Sequence, residues 1–375
     1  MWKNRWYTAY TMQIFTDVLV GILTVYLSFT NSLAMIISPA SFETSADMSQ
    51  NSGQESEGFF SALPSGIGKV IPDVLLRSAE YQSAALINAT DQTVGNTKDP
   101  LEALVNIFCT YTTPEYVRTT TGTGFFVDSD GVILTNAHVA QFLLLEQTKE
   151  FGVTECIIRT GNPASPRYLA ELLYIPPAWV QANAGLLYED TPMGTGERDY
   201  ALLYASESLD GQPLPAVFPA LELNDRLLPT SLKNQTVIAA GYPADNLILN
   251  GPSADLIPRQ AQTSVSELYT FGSNYADVIA IRGSAVGAEG ASGGPVLNED
   301  GEVIGVIVTR GDDAQDGTGS LRAITLSHIS RTIEEESGIS FEASLNGNLP
   351  YRAQVFGEIL SPFLLTLLQN QRPTN

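Results

Sequence analysis

Between residues 101 and 340 short runs of β-branched and aromatic residues alternate with clusters of Gly, Pro, Asn and Asp. Twelve runs stand out: Val105–Tyr111, Gly124–Val127, Val132–Asn136, Glu155–Thr160, Tyr168–Tyr174, Ala201–Tyr204, Val237–Gly241, Gln260–Leu268, Val278–Ile281, Val296–Leu297, Val303–Thr309 and Leu321–Ile324. Strands this short, joined by turns and not by long helices, fit antiparallel barrels or a sandwich and disfavour a parallel α/β sheet. A single barrel of six strands would leave half of them unplaced. The spacing therefore predicts an all-β fold of two packed six-stranded antiparallel β-barrels over residues 101–340. Short helices are expected at Ile329–Glu336 and at Phe356–Leu368, the latter within a C-terminal extension, 341–375.

The N-terminal part has a different character. From Val18 to Ile37 there are 20 residues without a charge, enough at 1.5 Å per residue to cross a hydrocarbon core of roughly 30 Å. Residues 1–37 thus read as a short cytoplasmic N-terminus and a transmembrane anchor, with Asp17 at the interface. Lys3 and Arg5 precede the apolar run, and Glu43, Asp47, Glu55 and Glu57 follow it with no base before Lys69. By the positive-inside rule the bulk of the chain then lies outside the cytoplasm, in the periplasm or extracellular space. Ser32-Leu33-Ala34 resembles a signal-peptide cleavage site, which would make the protein secreted, but the apolar run exceeds the roughly 7–15 residues of a signal core. Residues 38–65, rich in Ser, Glu, Gln and Gly, read as a disordered linker. Residues 66–100 read as a helical spacer, since Val70, Val74, Leu75, Ala79, Leu86 and Ile87 recur at roughly helical spacing.

Composition narrows the chemistry. With 19 Lys+Arg against 41 Asp+Glu, the formal charge is −22, so a phosphate backbone or an anionic surface would be repelled and nucleic acid is not expected as a partner. Only two Cys and two His occur in 375 residues, which excludes a Cys/His zinc framework and a disulfide-dense scaffold. No metal or organic cofactor is expected. Any imidazole chemistry must use His138 or His328, and His328, near a helix start after the last strand, reads as a surface residue.

Gly290-Ala291-Ser292-Gly293-Gly294-Pro295 is the sharpest motif. Small residues on both sides leave Ser292 unobstructed and let several N–H groups face one point, as an oxyanion hole requires. His138 follows the apolar strand Val132–Leu134, a placement that suits a general base. Asp199 opens Asp199-Tyr200-Ala201-Leu202-Leu203. A carboxylate held beside apolar residues needs a partner, and an imidazole N–H would serve.

The order His138, Asp199, Ser292 resembles the trypsin/chymotrypsin-fold serine proteases, above all their high-temperature-requirement (Deg-type) branch. Thr121-Gly122-Thr123-Gly124-Phe125-Phe126-Val127 and Asp130-Gly131-Val132-Ile133-Leu134-Thr135-Asn136-Ala137-His138-Val139 carry the likeness, with the Asp199 and Ser292 segments, over about residues 103–336. The resemblance implies a serine endopeptidase acting on protein or peptide substrates through an acyl-enzyme. Ser292 would be the nucleophile, His138 the base and Asp199 the group that orients it, with the N–H groups of Gly290 and Ser292 binding the oxyanion. Ala291 stands where many trypsins have the Asp that receives a freed N-terminus, so activation by such a cleavage is not expected. Deg-type enzymes usually append a PDZ module, and the residues after Glu336 are too few for one. By alignment Val286 falls at the base of the specificity pocket, and Val308-Thr309-Arg310 form its wall and the substrate-pairing strand. An apolar base favours small or medium apolar side chains before the cut, although Arg310 would attract acidic ones. Cys109 and Cys156 fall on the first and fourth strands of the first barrel, neighbours on closure. Outside the cytoplasm a disulfide between them competes with two buried thiols.

Two other functions fit parts of the pattern. Gly290-Ala291-Ser292-Gly293-Gly294 also matches the nucleophile elbow of α/β-hydrolase esterases, with Asp312, Asp313 or Asp316 and His328 completing the order. That fold needs a helix directly after Ser292, where the sequence predicts strand, turn and strand. An inactive, protease-like binding module is the other alternative, with the insertions around 176–197 and 243–258 covering the cleft.

Overall fold

In Leu104–Thr112 (β1), Val105, Ile107, Cys109 and Tyr111 are all buried while Phe108, Thr110 and Thr112 are more open, the period-two alternation of a strand with one face on a core. The computed structural model describes residues 79–86, 95–150, 152–188, 196–251, 254–272, 274–310 and 320–370. The expected membrane anchor, the linker and much of the spacer lie outside these residues. Among the described residues no helix is long and apolar enough to cross a membrane.

Five further strands, Val117–Phe126 (β2), Val132–Thr135 (β3), Val153–Thr160 (β4), Ser165–Tyr174 (β5) and Ala201–Ser208 (β6), close a barrel with β1 in the order β1-β2-β3-β6-β5-β4. The second barrel is built from Thr236–Gly241 (β7), Arg259–Tyr269 (β8), Val278–Ile281 (β9), Pro295–Leu297 (β10), Val303–Arg310 (β11) and Leu321–Thr325 (β12). Its closed order, β10-β11-β12-β9-β8-β7, read from β7 repeats the order of the first. Every pairing within the barrels is antiparallel. The expected pair of six-stranded barrels is thus the fold, and closure leaves neither sheet with an open edge.

The helices, in chain order, are Ala79–Leu86 (α1), Pro100–Ala103 (α2), Ala137–Leu145 (α3), Pro177–Asn183 (α4), Asp245–Asn250 (α5), Leu326–Ser337 (α6), Phe341–Leu345 (α7), Leu349–Val355 (α8) and Ser361–Asn370 (α9), the last two joined by a π-helical turn at Phe356–Leu360. All nine residues of α3 are buried. Its outer side is covered by α4 and α9, so the C-terminal extension and the first insertion pack on the first barrel. Helix α6 starts at Thr325, whose hydroxyl accepts from the His328 N–H at 3.2 Å, and stops at Gly338 in the left-handed region.

The barrels have different interiors. Val237, Val265, Ile279, Ile281, Val296 and Ile304 fill the second. The larger core of the first runs on through α3 and α6 to the C-terminal helices, taking in Ile329, Phe356 and Leu364. Where β4 returns to β1, Cys109 lies directly opposite Cys156 and the two form a disulfide that closes a loop with a separation of 47 residues. By loop entropy the link is worth about 4 kcal/mol. Replacing both with Ala should lower stability by about 3–4 kcal/mol in guanidinium titration, whereas dithiothreitol should leave that double variant unchanged.

Asp128, in the turn after β2, is 2 % exposed, and its Oδ1 accepts from the Asp130 N–H at 2.7 Å. Desolvation on burial, aided by the nearby Asp130 charge and opposed by that hydrogen bond, pushes its pKa up to about 6. A carboxyl whose folded pKa lies above its unfolded value contributes stability at low pH that is lost as pH rises, here between about 4 and 6. Asp128→Asn should therefore match the wild type near pH 4 and exceed it by about 1–2 kcal/mol at pH 7 and above, as read by paired denaturation curves.

Candidate active site

Asn136 ends β3 and begins α3, and it is a residue type that normally caps a helix with its own side chain. Here it does not: its Nδ2 donates instead to the backbone carbonyl of Asp199 at 2.8 Å. The cap is supplied from a distance by the Asp199 carboxylate, whose Oδ1 accepts the His138 backbone N–H at 2.9 Å. The other oxygen, Oδ2, lies 2.8 Å from Nδ1 of the His138 ring. One fully buried carboxylate thus holds both the main chain and the imidazole of the same residue. Beside an ionised acid Nδ1 carries the proton, which leaves the Nε2 lone pair free. Helix N-termini favour such a negative charge, so the cap and the charge support one another.

Ser292 sits in the turn before β10, on the other barrel. Thr123 of β2, wholly buried, reaches across to it: its N–H donates to the Ser292 carbonyl at 2.8 Å and its hydroxyl to the Gly290 carbonyl at 2.6 Å. The same hydroxyl accepts from the Tyr242 N–H at 2.9 Å, and the Thr123 carbonyl accepts from Thr135 Oγ1 at 2.7 Å. So close an approach requires glycine at 293, where φ is +90° and an added Cβ would lie 1.9 Å from the Thr123 carbonyl oxygen and 2.5 Å from Thr135 Oγ1. Thr135 is three residues from His138, which brings the serine turn beside the imidazole segment.

The hydroxyl of Ser292, half-buried, donates to the carbonyl of Val308 at 3.2 Å and not to His138. The structure therefore joins His138 to Asp199 directly and holds the Ser292 hydroxyl in a different hydrogen bond. At Gly290, φ is +89°, and the preceding carbonyl, of Glu289, accepts from the Ala244 N–H at 2.6 Å. Because a trans peptide points its N–H opposite its C=O, the Gly290 N–H is turned away from Ala244. Among the described residues neither it nor the Ser292 N–H donates to a protein group. Both donors are left for something else to accept.

Val286 is fully buried, clustered with Ala291, Ile307, Leu321 and Ala323 in the second barrel, and Val308 is buried on β11. Thr309 and Arg310 pair through their backbones with Arg322 and Leu321 of β12. The expectation for His328 is corrected. It is 6 % exposed, its Nδ1 is 3.2 Å from Asp277 Oδ1, and the Phe271 ring lies over it at 5.1 Å. Its place in the first turn of α6 faces it inward onto the β8–β9 loop, and loss of hydration holds its pKa below the usual value. Among the described residues no group of three or more His, Cys, Asp or Glu is arranged to hold a metal ion. Thr123 and Asn136 lie within sequence motifs, but a lone Thr or Asn there carries no local signal of these long-range contacts.

Two like-ordered barrels, an imidazole–carboxylate pair at the end of one strand of the first and a Gly-Ala-Ser-Gly-Gly turn on the second, define a two-barrel serine peptidase architecture. Residues 122–306 match the family model described as a trypsin-like peptidase domain. Over that segment, just under half of its length, the chain is similar to the trypsin-like serine peptidases, and it has relatives of the Deg type. One is serine protease HTRA4 of Mus musculus, 26% identical over 264 residues, which is 69% of this chain and 42% of that protein. The chain thus spans less than half the length of this relative. Solved structures similar to it include the active form of the Rv3671c protease from M. tuberculosis, at 19% identity, 62% of this chain, 80% of that chain and a TM-score of 0.38. Deg5 is another, at 20% identity, 62% of this chain, 87% of that chain and a TM-score of 0.38.

If Thr123 is the clamp that sets the serine turn, Thr123→Val, which keeps the shape but removes the hydroxyl, strands the Tyr242 N–H and the Gly290 carbonyl. Each stranded buried group costs about 1–3 kcal/mol. A loss of about 2–4 kcal/mol in chemical denaturation is expected; a loss below about 0.5 kcal/mol would remove Thr123 from this role.

Proposed function

We propose that the protein is a serine endopeptidase in which Ser292 is the nucleophile, His138 the general base and Asp199 the group that orients the imidazole. The observation that carries the proposal is the double hold of Asp199 on the backbone and ring of His138. It fixes the Nδ1–H tautomer and leaves Nε2 as the base, which accepts the serine proton on attack and returns it to the leaving amine. For the attack the Ser292 hydroxyl has to turn from the Val308 carbonyl toward Nε2, exchanging one hydrogen bond of about 1 kcal/mol for another. The N–H groups of Gly290 and Ser292 are the donors for the oxyanion, and lead to no competing protein acceptor.

Primary specificity follows from Val286 and its apolar neighbours. A Lys or Arg side chain entering there would lose hydration without a counter-ion, at a cost of several kcal/mol. Small or medium apolar residues before the cut fit best, and a library of peptides with varied residues at that position tests this directly. Residues 18–37 anchor the chain in a membrane with the peptidase domain on the extracytoplasmic side, a location that suits the disulfide.

A fluorophosphonate probe should label the wild type and leave Ser292→Ala unlabelled. Asp199→Asn should retain the fold and lose about 10⁴-fold in kcat, because Nδ1 then faces an amide and the tautomer is no longer fixed. A folded wild type that neither reacts with the probe nor cleaves any peptide would leave an inactive binding module as the better description.

A further inference from the structure

Asp199 is the middle residue of a very tight turn: the Tyr200 N–H donates to the carbonyl of Arg198 at 2.9 Å, two residues back. Arg198 has φ of +56°, in the left-handed region that a non-glycine residue enters only at a cost. Something must hold this turn. The His138 segment holds its carboxylate and one carbonyl, as described above, but the residues on either side of Asp199 are tied elsewhere.

Both ties go to one helix. Arg198 Nε lies 2.5 Å from Glu336 Oε1, at an angle that makes it an ion pair and not an aligned hydrogen bond. Tyr200, completely buried, places its hydroxyl 2.7 Å from Thr332 Oγ1. Thr332 and Glu336 are four residues apart on α6 and so share a face. The second oxygen of Glu336 accepts from the Tyr174 hydroxyl at 3.0 Å, and the Tyr174 and Tyr200 rings stack with centroids 6.2 Å apart. The Glu336 side chain is 9% exposed and that of Arg198 26%. A buried carboxylate held by a tyrosine from β5 is a stiff post against which to brace a strained turn.

We propose that Thr332 and Glu336 are positioning residues for the peptidase reaction: together they fix the turn that carries Asp199, and through Asp199 they set the ring of His138. This rests on the serine peptidase reading of the site. None of the bracing groups touches substrate. Their effect reaches the chemistry only through the geometry of the carboxylate, and a misplacement of about 1 Å in such a group can cost about 10²-fold in rate.

The test uses the full chain and four variants: Thr332→Val, Glu336→Gln, Glu336→Ala and Arg198→Gly, the last chosen because glycine takes the left-handed conformation freely while losing the ion pair. Each is checked for folding by near-ultraviolet circular dichroism, then assayed for kcat, KM and the rate of fluorophosphonate labelling across pH. Glu336→Ala should lower kcat and the labelling rate together by about 10- to 100-fold with KM within about twofold, and Glu336→Gln should recover part of the loss. The acidic limb of the profile should move to lower pH, since an imidazolium that loses its carboxylate gives up its proton more readily. Folded variants with wild-type kcat and an unmoved limb would overturn the proposal. Loss of fold in both Thr332→Val and Glu336→Gln, the mildest changes, would overturn it equally, because the contacts would then hold the fold and not the turn. A wild type that the probe never labels indicts the peptidase assignment instead; the low-field proton resonance of the His138 Nδ1–H then reads the brace on its own, shifting in Glu336→Ala if the brace is real and staying put if it is not.

Discussion

Two backbones pass so near each other between the barrels that no side chain fits there. Thr123 on β2 and Ser292-Gly293 before β10 exchange main-chain contact directly, and a Cβ on Gly293 would occupy the place of a carbonyl oxygen. The barrels are separately closed, and the larger core cluster reaches onto strands of the second through Ala240, Leu297, Val303, Val306 and Val308. Apolar packing of this kind is non-directional and does not by itself fix how the serine turn stands relative to the imidazole. Thr123 does so by using every polar group it has, with both backbone groups and the hydroxyl engaged. A buried residue with all its hydrogen bonds satisfied is rigid, and any displacement of one barrel against the other strands several of those groups at once.

The Asp199 carboxylate is a second point of economy. It caps α3, orients His138 and sits in a turn braced on α6, so three elements distant in sequence converge on one charge. The convergence explains why α3 can consist of nine buried residues with no cap of its own. It also links the C-terminal helices to the site: α9 covers α3 on one side, while α6 holds the Asp199 turn on the other. The C-terminal extension is therefore part of the first barrel's core, whatever further role it has.

What was legible in the sequence and what was not divides along physical lines. Strand positions were legible wherever one face is buried, because alternation records burial directly. Strand β2 was read as Gly124–Val127 and runs from Val117 to Phe126, since its first half, Arg118 to Thr121, is at most half-buried and carries no alternation of apolar residues. Helix α3 was not foreseen because a run apolar on every side looks the same as a buried strand. His138, Asp199 and Ser292 stood out because their neighbours are small or apolar and leave the reactive group conspicuous. Thr123, Thr332 and Glu336 gave no such signal: their importance lies in partners 167, 132 and 162 residues away, and an isolated Thr or Glu on a strand or helix looks like any solvated one.

The two histidines show why residue type and burial do not suffice to recognise a catalytic base. Each is 6 % exposed, and each has Nδ1 within hydrogen-bonding distance of a buried aspartate. They differ in what else the aspartate does and in where Nε2 points. Asp277 is already matched to Arg331 at 2.6 Å, and its other oxygen accepts from Thr270 and from the Phe271 N–H, so its charge is spent on the β8–β9 loop. Nε2 of His328 is sealed with no partner, under Phe271, and burial lowers the pKa of the ring. A proton arriving there would have no water and no acceptor. Among the described residues Asp199 is paired with no Lys or Arg, and His138 Nε2 is not sealed. The same pair of side chains is thus a lock at the start of α6 and, in the function proposed above, a proton acceptor at the start of α3. The difference lies in access to the second nitrogen, which is set by the tertiary fold and cannot be written in either local sequence.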